Sequence, residues 1–193
     1  MPDGFQVFLS HAEEDYQLVY RVWDILRRLK VRSYMHELYP DYRQDIPTGI
    51  REALENCVIC ITFLTHHGID SQWVQQELGI AHAFEKIILP VVQKGVKYKG
   101  FVEMLKKVPY QPRSSDATIH GVIYAVRAYV MERYDAVNRG LALTCPSDHE
   151  NDYILPSNLR INQAIKAGNV FAFKCYTCGA EIRVSPQTLE VVP

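Results

Sequence analysis

CVICITFLT, residues 57–65, is a near-continuous run of β-branched, apolar and aromatic side chains. It lacks the apolar/polar alternation of a strand with one wet face, so it reads as a strand buried on both faces, the kind found inside parallel sheets. The chain on either side fits that reading. Before it, IPTGIREALEN (46–56) opens with Pro47, suited to the first turn of a helix, and places Ile50, Ala53 and Leu54 on one face. After it, THHGIDS (65–71) reads as a loop, and Ser71 can cap the helix that follows. IILPVV (87–92) is a second buried strand, in which Pro90 suggests an edge or an irregular ending.

Working outward, FQVFL (5–9) is a first strand. Ser10 and Glu13 have capping-box spacing before a helix whose apolar positions are Leu18, Val22, Ile25, Leu26 and Leu29. Val31 to His36 is a strand, and ELYPDYRQDIP (37–47) is a long loop. From 93 to 112 the pattern weakens to a short helix at Val102–Lys107 and a strand at Val108–Tyr110; Ser115 or Asp116 then caps a helix reaching about Tyr134. Strands alternating with helices predict an α/β fold, a five-stranded parallel flavodoxin-like sheet with helices on both faces. Ligands of such sheets bind beyond the carboxyl ends of the strands, where Ser10, His11, Glu37 and the 65–71 loop fall.

Composition narrows the function. The 193 residues are 48% hydrophobic and 22% charged with formal net charge -1, a globular balance with no basic field for nucleic acid. The basic residues between Lys94 and Lys107 are diluted by glycine and aromatics, as in a solvated loop. No apolar run approaches the ~18–20 residues of a membrane span, and MPDGFQVFLS shows no secretory signal; the expectation is a cytoplasmic protein with no membrane partner. Of five cysteines, Cys57 and Cys60 read as buried reduced thiols inside the central strand.

One residue breaks the packing logic. In SQWVQQELGIAHAFEK (71–86), at roughly 100° per residue, Trp73, Val74, Leu78, Ile80, Ala81 and Phe84 share an apolar arc, and Glu77 lies in its middle, one turn after Trp73. Burial there raises a carboxyl pKa and asks for a compensating donor. Such a glutamate is either a paired structural residue or a functional one.

VFLSHAEED (7–15), IPTGIREALENCVICITFLT (46–65) and DSQWVQQELGIA (70–81), in that order, resemble the Toll/interleukin-1 receptor (TIR) domain, particularly its prokaryotic members, over about residues 4 to 134. The third stretch matches the family's S-x-W-x-x-x-E-L pattern. Enzymatic TIR domains use this glutamate to cleave NAD between nicotinamide and ribose, releasing ADP-ribose or a cyclised isomer. The resemblance therefore implies Glu77 as catalytic residue and NAD as substrate. It also implies substrate contacts for Trp73, which could stack on a base, for Ser10 and His11 at the nucleotide pocket, for Tyr34 near the nicotinamide end, and for Arg43 at a phosphate. The arginine that some animal members carry after the first strand is replaced here by Ala12 and Glu13. Nicotinamide is cationic in NAD and leaves without an acid, so one carboxylate that stabilises positive charge on the ribose suffices. His66 and His67, adjacent in a loop, are a weak metal signal.

The C-terminal stretch differs in composition. Cys175-Tyr176-Thr177-Cys178-Gly179 has the C-x-x-C-G form of a zinc knuckle between two strand patterns, VFAFK (170–174) and AEIRV (180–184). Cys145 and His149 supply the other half, with Asp148 a rival to His149. Three thiolates and an imidazole are a usual structural zinc set, and a fragment of about 50 residues needs such a staple. A redox C-x-x-C would sit at a helix start. Whether Tyr153, Phe171, Phe173 and Tyr176 stack bases or pack the ribbon stays open.

The expectation is thus a TIR-like domain over 1–135 and a zinc-ribbon-like domain over 140–190. The function implied by resemblance is NAD cleavage in prokaryotic defence or stress signalling, by homo-oligomers formed through the TIR domain. Two rivals are a non-catalytic TIR adaptor and an enzyme like the nucleoside deoxyribosyltransferases, which also use a glutamate at an N-glycosidic bond.

Overall fold

The run at 57–65 becomes β3, Ile59–Leu64, buried along its whole length. The computed structural model describes residues 6–38, 46–131 and 140–193. In it β3 is central to a parallel sheet of five strands ordered β2-β1-β3-β4-β5. The other strands are β1 (Val7–Ser10), β2 (Ser33–Tyr34), β4 (Ile87–Gln93) and β5 (Val108–Tyr110). The order reverses between β1 and β3, where Ser10 pairs with Thr62. A crevice opens at such a reversal because the connections leave β1 and β3 toward opposite faces.

The period of two along each strand divides the core. Val7, Leu9, Ile59 and Ile61 face α1 (Tyr16–Arg28) and α5 (Ser115–Val126). Phe8 and Cys60 face α2 (Ile46–Asn56) and α4 (Gln72–Ala83). Helices therefore cover both faces, which is why the sheet strands could be apolar throughout.

Several local expectations are corrected. Ser10 ends β1 and caps nothing: its hydroxyl points to Glu77, and a single 3-10 turn at Glu13–Asp15 precedes α1. The 65–71 segment is not a loop but holds α3, His66–Asp70. Thr65 caps it, accepting from Gly68 N–H at 2.9 Å while donating to buried Asp15 at 2.6 Å. Pro90 lies in an interior strand; β5 joins β4 only from Val91 onward, so at Pro90 one flank of β4 is open and the missing N–H is tolerated. The expected helix at 102–107 is a 3-10 turn, Gly100–Met104. At α5 neither Ser115 nor Asp116 caps; both are taken by Arg21, at 2.7 and 2.9 Å. The helix runs on as a π turn through Met131, and the rest of its expected length to Tyr134 lies outside the described residues. The same is true of most of the 37–47 loop, Arg43 included.

The C-terminal part comprises a hairpin, β6 (Gly140–Thr144) and β7 (Glu150–Ile154), then α6 (Asn158–Ala167) and a three-stranded antiparallel sheet. Its strands are β8 (Phe171–Lys174), β9 (Glu181–Val184) and β10 (Val191–Val192). Leu141, Leu143, Ile161, Ile182, Val184 and Leu189 join the same apolar cluster as α1 and α5. Polar contacts rim that junction. Arg21 clasps Glu190 with two bonds of 2.9 and 2.7 Å, Arg28 donates to the Leu189 carbonyl, and Lys30 meets Asp152 at 2.7 Å. No helix among the described residues is long and apolar enough to cross a membrane.

Candidate functional site

Glu77 reaches the crevice because α4 starts where it does. Ser71, extended at the N-cap, accepts from Val74 N–H at 3.4 Å. From that start the spacing of 3.6 residues per turn aligns Val74, Glu77, Leu78 and Ala81 as the buried stripe. Glu77 is 7% exposed. The hydroxyl of Ser10 donates to its Oε2 at 2.6 Å, a length typical of a charge-assisted O–H···O⁻ bond. Burial pushes the Glu77 carboxyl up to about 7, while Ser10 and then the nearby His11 restrain the rise. The compensating donor that the sequence called for is Ser10.

Glu77 forms part of the wall of a cleft of ≈ 220 Å³, with Leu9, His11, Glu37, Ile50 and Trp73 around it. No lysine or arginine is among its described lining residues. Trp73 departs from the helical-wheel expectation: it is 51% exposed, at the rim of the cleft and not packed over Glu77. It is a flat apolar surface one turn from the carboxylate.

The side chain of His11 is 3% exposed, and its Nε2 lies 3.3 Å from Glu37 Oε1. Nδ1 is 3.2 Å from the Leu9 carbonyl, so Nδ1 is the donor there. The approach to Glu37 has ion-pair distance without hydrogen-bond alignment, and Nε2 has no other partner. Burial alone would lower the His11 pKa, but the Glu37 carboxylate outweighs it and the net shift is upward. Glu37 moves the opposite way: burial would raise it, and His11 draws it below the usual carboxylate range. Both shifts favour the charged pair. Glu37 is the site residue that sequence reasoning placed at the sheet's carboxyl edge without giving it a role.

Tyr34 is 6% exposed and stacked on Phe8, ring centroids 5.2 Å apart, within the cluster beneath α2. Burial raises its pKa, followed by the negative charges of Glu77 and Glu37. His66 and His67 are exposed, and His67 lies 3.9 Å from Glu14. In the central strand, burial pushes the Cys57 thiol up to about 12 and raises Cys60 as well, so both are inert.

A second cluster lies at the tips of the two C-terminal hairpins. Cys145, His149, Cys175 and Cys178 bring one ligand atom each to within 4.8 Å of one another. Cys145 Sγ is 3.4 Å from His149 Nδ1 and 3.8 Å from Cys178 Sγ. A tetrahedral ion with metal–sulfur bonds of ~2.3 Å spaces its sulfurs ~3.8 Å apart, so the group fits a metal. The turns that form it are tight: Cys145 N–H donates to the His149 carbonyl at 3.0 Å, and Cys175 N–H to Ala180 at 2.8 Å. Asp148 occupies the left-handed region, φ 59°, at the head of the first turn and is not part of the group, whereas His149 is. Burial opposes ionisation of Cys175, but N–H groups of Cys178 and Thr177 and the Asn151 amide bring its thiol down to about 6. Cys178 is helped by Ala180 N–H yet ends raised, by burial and the neighbouring thiols. A cation relieves that crowding.

Comparison with known proteins bears on the sheet. Residues 7–117 match the family model described as TIR domain. No curated protein matches the chain. Among solved structures, one similar fold is the TIR domain of the Toll-related receptor TRR-2 from the lower metazoan Hydra magnipapillata. The TM-score is 0.55 at 14% identity, over 64% of this chain and 98% of that one. A CMP N-glycosidase of Clostridium botulinum aligns more loosely, with TM-score 0.45 and 16% identity, over 58% of this chain and 95% of that one.

Proposed function

The chain belongs to the TIR domain family, and from that premise we propose that its cleft cleaves NAD at the bond between nicotinamide and ribose. The observation that carries the reading is Glu77: a buried carboxylate, held at Oε2 by Ser10, on the wall of a cleft at the carboxyl edge of the sheet. As the carbon–nitrogen bond breaks, its electron pair neutralises the pyridinium ring and nicotinamide departs. Positive charge develops at the ribose carbon, and an ionised Glu77 stabilises it. Water completes the reaction to ADP-ribose; attack by an adenine nitrogen gives a cyclic isomer. Trp73, exposed at the rim, offers a face on which a base can stack. The acidic lining suits the cationic end of the substrate, and a phosphate contact falls to Arg43, outside the described residues.

The test is concentrated protein with NAD, products separated by chromatography, beside Glu77→Gln shown to be folded. We expect nicotinamide release in the wild type and a fall of about 10²–10³-fold in the variant, the scale of removing one electrostatic stabiliser. Equal release by both proteins makes Glu77 structural and overturns the reading. Deoxynucleosides run in parallel separate it from base exchange.

The proposal extends to the rest of the molecule. Cys145, His149, Cys175 and Cys178 hold a structural zinc ion; with four protein ligands the site has no open position for chemistry. One zinc per chain, lost in Cys175→Ser, is the expected metal content. The protein works in the cytoplasm as a homo-oligomer through its TIR domain, in prokaryotic defence or stress signalling.

A further inference from the structure

Ser10 is 0% exposed, and its hydroxyl is committed to Glu77 Oε2. The His11 side chain is 3% exposed, with Nδ1 on the Leu9 carbonyl and Nε2 against Glu37. Ser10 offers no surface to a substrate, and His11, although it borders the cleft, is almost wholly covered. Both nonetheless adjoin the carboxylate that lines the cleft. A hydroxyl that donates to one carboxylate oxygen leaves the other for the cleft, and among the described residues Ser10 is the one hydrogen-bond partner of Glu77.

The imidazole is the nearby positive charge. With its Nδ1 proton on Leu9 O, the ring places Nε2 3.3 Å from a carboxylate, a neighbour that favours the imidazolium. Glu37 thus favours a charged His11, and His11 in turn favours the charged form of Glu77.

We propose that Ser10 and His11 are positioning residues for Glu77: Ser10 anchors Oε2 so that the other oxygen faces the cleft, and His11, paired with Glu37, favours the carboxylate form of Glu77. Glu13 and His36 line the same cleft. Glu37 and, from β2 and β3, Tyr34 and Cys60 are uncharged or negative neighbours. From α2 comes apolar Ile50, and α3 keeps His66 and His67 at the surface.

The kinetic arm of the test rests on the NAD-cleavage reading; the spectroscopic arm does not. In the first, kcat and KM for NAD are measured from pH 5 to 9 for wild type, Ser10→Ala and His11→Gln. Positioning predicts that the acid limb moves upward by roughly one pH unit in each variant. It also predicts kcat lower by about fivefold at pH 7 and recovering toward wild type at pH 9, with KM within about twofold. A loss that is the same at every pH, or one that appears in KM, means substrate contact or mere packing and overturns the proposal.

In the second arm, glutamate side chains labelled with carbon-13 are titrated by NMR, Glu77 being assigned by its absence in Glu77→Gln; the spectra also report folding. An upward move of the Glu77 titration in both variants supports the proposal even if NAD is not cleaved, in which case only the functional reading falls. An unmoved titration overturns it whatever the activity.

Discussion

Glu77 makes the molecule less stable in the same pH range in which its carboxyl ionises. Its folded-state value of about 7 stands above the ordinary 4.5, because burial penalises the charge. Below pH ~4.5 the carboxyl is protonated in both folded and unfolded chains. Between the two values the unfolded chain releases its proton and the folded chain retains it, so stability falls as pH rises through that window. Glu77→Gln removes the penalty. Urea unfolding at pH 8.5 should find the variant more stable by about 3 kcal/mol, and unfolding at pH 4 should find the two alike. A variant that is less stable at pH 8.5 would mean that Ser10 and His11 compensate the charge fully. On the proposed NAD-cleaving reading, nicotinamide release should rise with pH through about 7, so the stability and activity profiles would run in opposite directions.

At the scale of elements, the crevice depends on the corner between β3 and α4. α3 turns the chain there, and it fits because Gly68 lies against the end of the strand: a Cβ at that position would be 2.0 Å from the Phe63 carbonyl oxygen. Backbone cannot yield as a flexible side chain does. Gly68→Ala should cost about 2–3 kcal/mol, the upper range for overpacking, in chemical denaturation. Because α3 leads directly into α4, the variant should also weaken the Ser71 cap and disturb Glu77. Ser71→Ala alone should cost about 0.5–1 kcal/mol, the lower half of the cap range, since its bond is 3.4 Å long. A Gly68→Ala variant as stable as wild type would show that the corner relaxes freely.

For the whole molecule, the C-terminal hairpins and the sheet share one apolar cluster, with the four ligand residues at the hairpin tips. A metal bound there would hold the two hairpins together, and with them the Leu141 and Ile182 side chains that share the cluster with α1. Removing metal with a strong chelator should lower the unfolding midpoint by roughly 5–10 °C. Amide exchange should rise in β6 to β10 and along the outer face of α1, while α4 and β4 stay protected. A chelated protein with unchanged midpoint would mean that packing alone holds the ribbon. Arg21→Ala removes the clasp on Glu190 and should loosen the same junction in the metal-loaded protein, again without change at α4.

The parallel sheet is legible in the sequence because its signals are local: the run at 57–65, the helical periods on either side, and β–α alternation. Glu77 is legible for the same reason, as a break in one helix's period, and the Cys/His cluster as short spacings beside strand patterns. What lies across the chain is not legible. Ser10 looks like a helix cap because a capping box is a local pattern, yet its hydrogen bond goes to a residue 67 positions away. Trp73 looks buried on a helical wheel, which records angle but not where the facing layer ends; in the structure the cleft begins there. The His11–Glu37 pair and the Thr65–Asp15 bond likewise join segments that only the sheet brings together. By itself the sequence determined the layers, the odd glutamate and the three clustered cysteines, since periodicity and spacing are properties of neighbours; between His149 and Asp148 it left the choice open. The tertiary structure alone decided which group satisfies that glutamate, which side chains have a face on the cleft, and that the ribbon seals α1 and α5, since burial and pairing depend on what the fold places opposite.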